Sequence, residues 1–441
     1  MENKEFPKVL VTSINAWRDN TGINTLIDFF KCWDSQRIAQ IYTRASLPKT
    51  TVCNEFFRIS EPVVMKSVLK RKLKTGSVVE NETEGVENEG LKEEQKIYAK
   101  KKSKFSGLLG FVRELVWKLG KWKTKELNEF IDNCQADVLF MPIYPTVYMG
   151  RLQKYVMKRT GKPVVSYLAD DNYTFKAVSK NPISLIHRAW LRKYVKYIVK
   201  NSEKLLVIAP KQKEEYDRIF GVSSEVLTKG IDFSEFPYEK KELCNPIKMV
   251  YTGKLIIGRW KSLSQIAEAL GEINKNEVKI ELDIYTTDSL TPEQQVALNR
   301  NGCSVKGALT LSEVQEVQKQ ADILVFVESL DKKYKNAARL SFSTKITDYL
   351  RSGKCIFAIG DKEIAPIDYF NRYDSAITAT SYDEIKVKLE NIASNANVIS
   401  EYSKKAYDCG VKNHSKAELN ELLISTIKNA SYKTERKDTN E

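Results

Sequence analysis

A short stretch late in the chain, residues 339–354, combines residue types that could bind a phosphate group and a sugar hydroxyl group. Apolar runs typical of strands flank it at 323–327 and 355–359, and the stretch itself predicts a loop, a short helix and a final glycine. Small hydroxyl residues stand where the helix would begin: Ser341, Ser343 and Thr344. The first N–H groups of a helix lack partners and the helix dipole is positive there, which suits an anion, phosphate above all.

Two charged residues extend this pattern. Lys345 adds a cation beside the helix start, and Asp348 falls one turn later on the same face, where a carboxylate could bind hydroxyl groups. A phosphate site followed by a carboxylate predicts a nucleotide-diphosphate pocket. A capped helix with a solvated lysine and aspartate is the alternative for this stretch taken alone.

Length and charge set the frame for the whole protein. With 441 residues the chain is too long for one ordinary core, so we expect two domains. Hydrophobic residues make up 42% and aromatic residues 10%, as in a folded globular protein. The formal net charge of +14 indicates an anionic partner: nucleic acid, an anionic membrane or a phosphorylated ligand.

Cysteine and histidine usage narrows the chemistry. The seven cysteines are scattered without a CxxC pair, so the sequence predicts neither a zinc site nor a disulfide framework, and reduced thiols fit the cytosol. A first strand starts near Lys8 with no signal peptide before it, and no apolar run reaches the roughly 18 residues of a membrane span. We therefore expect a cytoplasmic protein. The two histidines are His187 and His414.

The first half of the chain alternates between strand-like and helix-like segments. Residues 8–13 predict a buried first strand, and a polar loop leads from it to Gly22 and an amphipathic helix, as at the ligand-binding start of an α/β domain. A later strand at 162–168 ends in Asp170 and Asp171. Such alternation predicts a parallel sheet covered by helices on both faces.

An insert at about 62–125 interrupts the alternation. It begins with basic residues and continues with seven glutamates at 80–94, among almost no apolar residues, which predicts an acidic segment without a core of its own. Phe105 to Trp122 then place apolar residues at helical spacing among lysines. A basic helix with Trp and Phe on its apolar side, through about 100–123, could lie in the surface of an anionic bilayer. A helix packed on the domain core with a solvated basic face is the alternative.

The second half repeats the alternation after a polar linker at 237–246. We expect two doubly wound, Rossmann-like parallel-sheet domains that face each other across a cleft, at 1–238 and 246–410, with a helix and polar tail at 411–441. Residues 339–354 would lie at the carboxyl end of a strand of the second sheet, where such sheets bind ligands.

Four segments, in order, resemble those of the GT-B glycosyltransferases, in particular the retaining family 4 type of bacterial surface-polysaccharide synthesis. They are the Gly22 loop, LTKGID at 227–232, YTGK at 251–254 with Arg259 and Lys261, and residues 341–354. The last resembles the family pattern S-x-P-x-K-x-x-E-Y-L-A-x-G-K-P-V-I. Order and spacing match over nearly the whole chain apart from the insert.

The resemblance implies that the second domain binds a nucleotide-diphosphate sugar, UDP-linked above all, with no metal and no other cofactor. Gly253 and Lys254 match the family's phosphate-binding loop. Lys254 would neutralise the leaving diphosphate together with Arg259 or Lys261, the spacing being closer for Arg259.

The same resemblance assigns roles in residues 341–354. Ser341 and Lys345, with the backbone N–H groups of Ser343 and Thr344, would contact the phosphates. Asp348 takes the place of the family's second Glu, which is expected on the ribose hydroxyls.

The chain departs from the family pattern in two places. Leu340 stands where the family's first Glu is expected, and Glu328 at the end of the preceding strand is the candidate substitute for its contact with the donor sugar. The His-Asp that the family often carries in the first domain reads Asp170-Asp171 here. Acceptor activation would then use Asp170, Asp171 or the leaving phosphate itself.

Other functions fit parts of the sequence. Asp170 and Asp171 could hold Mg²⁺ against a diphosphate, as in the GT-A glycosyltransferases, although the two-half alternation disfavours that fold. A non-enzymatic protein could use the basic surplus on a nucleotide or a nucleic acid, although no recognised nucleic-acid motif occurs. An epimerase or a phosphorylase could share the architecture, but nothing marks a pyridoxal lysine.

The sequence therefore predicts a cytoplasmic, membrane-peripheral glycosyltransferase. It would move a sugar from a nucleotide-diphosphate donor to a growing lipid-linked glycan, with retention at the anomeric carbon. Its partners would be the donor, the glycan acceptor and an anionic membrane surface, and not nucleic acid.

Overall fold

The computed structural model describes residues 6–19, 25–82 and 106–438. Gly22 and the acidic part of the predicted insert from residue 83 on lie outside the described residues. The chain forms two compact units. The first holds the residues up to Ile208, residues 213–228 and the chain from Asn420 on; the second holds residues 209–212 and Lys229–Leu419.

The first unit is built on an eight-stranded sheet in the order β4-β3-β2-β1-β5-β6-β7-β8, parallel except for β4, which pairs antiparallel with β3. The strands are β1 (Val9–Ser13), β2 (Ile38–Tyr42), β3 (Glu55–Ile59), β4 (Gly76–Val79), β5 (Val138–Pro142), β6 (Val164–Leu168), β7 (Lys204–Val207) and β8 (Glu225–Val226). Every residue of β1, β2, β5 and β6 is buried, as expected for parallel strands with both faces covered.

The helices up to the end of this sheet are α1 (Thr25–Phe30), α2 (Glu61–Ser67), α3 (Ser106–Leu119), α4 (Lys125–Cys134), α5 (Val147–Thr160), α6 (Pro182–Lys200) and α7 (Pro210–Phe220). The described start of the predicted insert belongs to this unit, because α2 lies within it and β4 pairs with the sheet. None of the described helices is long and apolar enough to cross a membrane.

The second unit is built on a six-stranded, wholly parallel sheet in the order β11-β10-β9-β12-β13-β14. The strands are β9 (Ile247–Thr252), β10 (Ile280–Tyr285), β11 (Cys303–Gly307), β12 (Ile323–Val327), β13 (Cys355–Ile359) and β14 (Ile377–Ala379). The helices are α8 (Arg259–Ile273), α9 (Pro292–Leu298), α10 (Leu311–Gln320), α11 (Lys332–Ala338), α12 (Thr344–Arg351), α13 (Ala365–Arg372), α14 (Tyr382–Ser394), α15 (Asn397–Asn413) and α16 (Lys416–Asp438), the last of which continues into the first unit.

The strand order of each sheet reverses at one point. In the first sheet the chain proceeds outward from β1 to β4 and then returns to the other side of β1 at β5; in the second, it proceeds from β9 to β11 and returns beside β9 at β12. The crevice outside the carboxyl ends of the strands at such a reversal is where open α/β sheets bind ligands. Candidate sites are therefore expected after β1 and β5 and after β9 and β12.

Candidate functional site

A pair of oppositely charged residues lies at the reversal point of the second sheet. Glu328 directly follows β12, and Arg259 begins α8 after the loop that leaves β9. The guanidinium group donates from Nη2 to Glu328 Oε1 at 2.7 Å and from Nε to Glu328 Oε2 at 3.1 Å. The fold thus brings together two predicted site residues that are 69 positions apart in the chain.

Lys345, in the first turn of α12, reaches the same place. Its ammonium group donates a hydrogen bond to the carbonyl oxygen of Thr252, the last residue of β9, at 2.6 Å. Burial and, to a smaller extent, the nearby charge of Arg259 lower the pKa of Lys345 to about 8, with the carboxylate of Glu328 acting in the opposite direction. A Cβ atom at Gly253 would collide with this ammonium group, so a larger residue there would displace the side chain of Lys345. Lys345 is thus a poorly solvated cation for which an anionic ligand would be a favourable partner.

The loop between β9 and α8 is held near its start by two hydrogen bonds. The hydroxyl group of Tyr251 donates to the carbonyl oxygen of Lys254 at 2.7 Å, and the N–H group of Leu255 donates to Asp288 Oδ2 at 2.6 Å. Ile257 has φ +58° and Gly258 has φ +75°, so two consecutive residues are left-handed. A β-branched residue in this region is strained, and such strain is often found at binding sites.

The other two predicted cations of this loop differ in their surroundings. The Lys254 side chain is exposed, and among the described residues it has no ion pair. Lys261 forms an ion pair with Asp331 at 3.4 Å and is half-exposed. Lys254 is therefore available to a ligand, whereas Lys261 is directed to the segment that follows β12.

The start of α12 has the form that the sequence predicts. Ser343 is the N-cap residue, and its hydroxyl group accepts a hydrogen bond from the N–H group of Lys345 at 3.3 Å. Ser341, Ser343 and Thr344 are all half-buried. Leu340, which stands where the resemblance expects a Glu, is 1% exposed and packs in the apolar interior. A carboxylate at that position would be buried at high cost, so the apolar residue is the physically consistent choice.

Asp348 has a partner that the sequence did not indicate. Its Oδ1 atom accepts a hydrogen bond from the ammonium group of Lys229 at 2.6 Å, across 119 positions of the chain. The Oδ2 atom has no hydrogen-bond partner among the described residues. Lys229 lies within the LTKGID segment that resembles the glycosyltransferases, so this resemblance could have identified Lys229 as a site residue.

The first sheet carries a cavity of about 590 Å³ at its own reversal point. Its lining combines aromatic rings, neutral polar groups, one carboxylate and one guanidinium group: Ser13, Asn15, Trp17, Arg18, Tyr144, Tyr167, Asp170 and Asn172. Because Arg18 is already paired with Glu82 at 2.6 Å, the lining is typical of a pocket for a polar, uncharged ligand. Of the two predicted acids, Asp170 therefore lies where a substrate could bind.

The carboxylate of Asp171 makes hydrogen bonds inside the first unit. Its Oδ1 atom accepts hydrogen bonds from the N–H group of Thr174 at 2.8 Å and from the hydroxyl group of Tyr216 at 3.0 Å, and the residue is buried. Among the described residues, no three His, Cys, Asp or Glu side chains form a group that could hold a metal ion.

Neither histidine contributes to these two sites. His187 contacts the buried carboxylate of Glu114 at 3.5 Å. His414 is enclosed in the second unit beside the hydroxyl group of Tyr369 at 2.8 Å, and burial lowers its pKa to about 4.

Solved structures with a similar fold align with nearly the whole chain. HepE of Anabaena in complex with UDP has a TM-score of 0.59 at 10% identity, covering 96% of this chain and 100% of that one. TarM has a TM-score of 0.60 at 9% identity, covering 97% and 100%. Sucrose-phosphate synthase from Thermosynechococcus elongatus has a TM-score of 0.57 at 8% identity, covering 94% and 96%.

At the level of sequence, no protein-family model matches this chain, and no curated protein is significantly similar to it. Identities of about 10% show the fold alone. The structurally similar proteins are GT-B glycosyltransferases. The predicted fold class, two parallel-sheet α/β domains, is thereby confirmed, and the chain shares this fold with the GT-B glycosyltransferases.

Proposed function

We propose that the protein is a glycosyltransferase that moves a sugar from a nucleotide-diphosphate donor, UDP-linked above all, to a glycan acceptor. The observation that carries this proposal is the position of Lys345 and Arg259 at the reversal point of the second sheet, with the exposed Lys254 in the loop that leaves β9. A diphosphate with its negative charges fits three cations at the place where an α/β sheet binds ligands. The similar fold of HepE, which was solved in complex with UDP, supports the same assignment.

The cations would act on the leaving group. When the bond between the anomeric carbon and the diphosphate breaks, negative charge grows on the phosphate oxygens. Cations already held in place stabilise that charge without reorganising, so the proposal requires no metal ion. Glu328 uses only part of the Arg259 guanidinium, which keeps further N–H groups for a phosphate.

Glu328 and Asp348 would contact the sugar parts of the donor. Glu328 would take over the donor-sugar contact that buried Leu340 cannot make, held in position by Arg259. Asp348 would accept a hydrogen bond from a ribose hydroxyl through Oδ2, because Lys229 already contacts Oδ1. Ser341 and the N–H groups at Ser343 and Thr344 would complete the phosphate contacts.

The acceptor would bind in the cavity of the first unit, with Asp170 beside its reacting hydroxyl group. The hydroxyl oxygen forms the new bond to the anomeric carbon as the diphosphate leaves, and its proton passes to Asp170 or to an oxygen of the leaving phosphate. Asp171 is a weaker candidate for this role because Thr174 and Tyr216 occupy its carboxylate. We further propose retention at the anomeric carbon, which rests on the family resemblance.

The biological setting belongs to the same proposal. The acceptor would be a lipid-linked glycan of surface-polysaccharide synthesis, and the enzyme would work in the cytoplasm at the inner face of the cell membrane. Its basic segment at about 100–123 would bind the anionic membrane surface and so bring the enzyme to this acceptor.

A ligand panel tests the proposed function directly. Thermal unfolding is followed with UDP-, GDP-, ADP- and TDP-sugars, since a ligand at 100 times its Kd stabilises the folded state by about 2.7 kcal/mol. We expect one nucleotide series to raise the Tm and the others to leave it unchanged. If no sugar nucleotide stabilises the protein, the proposal fails. Transfer that persists in excess chelator supports the metal-free reaction, whereas its loss supports the magnesium-dependent alternative at Asp170.

A further inference from the structure

Helices α3 and α6 of the first unit lie side by side. The rings of Phe111 and Trp190 have their centroids 6.2 Å apart, and His187 Nε2 lies 3.5 Å from Glu114 Oε1. The ammonium group of Lys118 lies 6.0 Å from the ring centroid of the same tryptophan. Residues 111, 114 and 118 of α3 therefore form the face that packs on α6.

The tryptophans of the basic segment are part of the core. Trp117 stacks on Tyr148 with the ring centroids 4.5 Å apart, and Trp122 packs edge-on against Tyr155 at 5.4 Å. Both are buried. The predicted membrane contact through Trp side chains is therefore wrong for these two residues, and the core-packing alternative describes them.

Other apolar side chains of the two helices are nevertheless exposed. In α3, they are Val112, Leu115 and Leu119, whose spacing of three and four residues places them on one face. In α6, Ile183 and Ile186 are exposed, and Ile183 shares the face of His187 and Trp190 that meets α3. Leu119 and Ile186 remain 55% and 56% exposed. We name these five apolar residues and the exposed lysines of both helices and of residues 120–123 the α3–α6 surface.

The charge of the α3–α6 surface has a single sign. Residues 106–123 contain one acidic residue, Glu114, and residues 182–200 contain none. Glu114 is 2% exposed, and its carboxylate accepts hydrogen bonds from the N–H groups of Val147 and Tyr148 at the start of α5. Exposed lysines without an ion pair among the described residues stand on both segments: Lys118, Lys121, Lys193 and Lys196.

We infer that the α3–α6 surface docks on an anionic lipid bilayer, with the five apolar side chains in the headgroup boundary and the lysines at the lipid phosphates. Exposed apolar residues among cations, with no exposed acid on either segment, match a negatively charged surface with an apolar interior. The inference adds α6 to the segment that the sequence indicated. It rests on the proposed membrane location of the enzyme, which it deepens by naming the side chains that would contact the bilayer.

Vesicle sedimentation of the full chain tests this surface. Wild-type protein should sediment with vesicles of phosphatidylglycerol and phosphatidylcholine and remain in solution with phosphatidylcholine alone. Leu119→Ser/Ile186→Ser should reduce the partition coefficient about ten-fold or more, because two buried contacts with the apolar boundary are lost. Lys118→Glu/Lys193→Glu should reduce it about ten-fold or more as well, since each basic residue near the surface contributes about five-fold.

Matched controls come from the second unit. Val296→Ser/Leu311→Ser removes two apolar residues that are at least as exposed, and it should leave vesicle binding unchanged. Undiminished sedimentation of either α3–α6 variant, or equal binding of the wild type to uncharged vesicles, would overturn the inference. A third result would also overturn it: wild-type protein that binds no vesicles but forms a dimer in sedimentation velocity, with Leu119→Ser/Ile186→Ser monomeric. The surface would then join two copies of the chain.

The outcome is separable from that of the proposed function. Sugar-nucleotide stabilisation is measured without vesicles and should be the same in wild type and Leu119→Ser/Ile186→Ser, because the donor residues lie in the second unit. Vesicle binding without any sugar-nucleotide binding would refute the proposed function and leave the surface standing. Sugar-nucleotide binding without vesicle binding would leave the proposed transfer reaction standing and refute both the α3–α6 surface and the proposed membrane location.

Discussion

The two sheets reverse their strand order in the same way, yet the residues at the two reversal points differ in kind. The second sheet presents three cations and a strained loop, and its charged groups are held by specific partners such as Glu328 for Arg259 and Thr252 for Lys345. The first sheet presents a cavity lined mainly by rings, hydroxyl groups and amides, with Asp170 as its carboxylate and with Arg18 as a cation that is already paired with Glu82. The fold thus supplies an equivalent position in each sheet. The side chains at the second sheet suit a charged leaving group, and those at the first sheet suit a neutral nucleophile.

The largest effect on the catalytic rate is expected from Arg259, which forms the ion pair with Glu328 in the second unit. Arg259→Ala should lower kcat by about 10²–10³, the usual loss when one preorganised contact to the developing charge is removed. Steady-state kinetics measure this change, and Lys261→Ala, which removes a half-exposed lysine paired with Asp331, should remain within a few-fold of wild type. Equal losses in the two variants would contradict the assignment of Arg259 to the diphosphate.

Substitution of Asp170 should change the catalytic rate, whereas substitution of Asp171 should change the stability of the protein. Asp170→Asn should lower kcat by about 10² with the Tm unchanged, if its carboxylate takes the acceptor proton. Asp171→Asn should instead lower the free energy of unfolding by about 1–3 kcal/mol, because the hydrogen bonds from Thr174 and Tyr216 are impaired. Kinetics and denaturant unfolding of both variants distinguish them. Unchanged kcat in Asp170→Asn would assign proton acceptance to the leaving phosphate.

Lys254 offers a cleaner test of the cationic site than Arg259, because its side chain is exposed and forms no ion pair among the described residues. Lys254→Ala should lower kcat/KM by about ten-fold or more with little change in Tm, since a charge-assisted contact contributes roughly 1.5–3 kcal/mol. Donor titration and thermal unfolding measure the two quantities. Wild-type turnover in this variant would refute its phosphate role.

A smaller effect is expected from pH on the affinity for UDP. Because the pKa of Lys345 is about 8, its protonated fraction falls from about nine-tenths at pH 7 to about one-tenth at pH 9 in the free protein. A neutral amine binds phosphate poorly, so the Kd of UDP should rise several-fold over this range, and Lys345→Met should show a flatter profile. A wild-type profile as flat as that of the variant would contradict a contact between Lys345 and the diphosphate.

The same residue predicts a change of stability with pH. Its folded pKa lies below the value of about 10.4 in an unfolded chain, so the unfolded state binds more protons between pH 8 and pH 10. The contribution of Lys345 to the free energy of unfolding therefore becomes more favourable as pH rises through this window. Denaturant unfolding at pH 7.5 and pH 9.5 should show this difference between wild type and Lys345→Met.

The smallest effect concerns the strained loop of the second sheet. Ile257→Asn should raise the free energy of unfolding by roughly 0.5–1 kcal/mol, because asparagine tolerates the left-handed region that isoleucine avoids. Denaturant unfolding measures the gain, with Ile256→Asn at the neighbouring exposed position as the control. A loss of stability in Ile257→Asn would mean that its apolar side chain contributes more than the backbone strain costs.

Much of the fold could be predicted from the chain in order. The apolar runs at 323–327 and 355–359 became β12 and β13 with those bounds, because a strand buried on both faces needs an unbroken apolar run. Ser343, Lys345 and the glycine at 353 marked the ends of α12, since capping depends on residues within one turn. The basic, aromatic segment was ambiguous, and only the positions of Tyr148 and Tyr155 show that Trp117 and Trp122 face inward.

The sequence by itself determined the two alternating halves, the residue types at the candidate sites and the absence of a carboxylate at Leu340. All of these follow from local spacing and composition. The tertiary structure alone decided that Arg259 meets Glu328, that Lys229 meets Asp348, and that Asp170 lines a cavity while Asp171 is used by the fold. These pairings depend on which strands become neighbours in a sheet, and residues 69 and 119 positions apart carry no local pattern that records it.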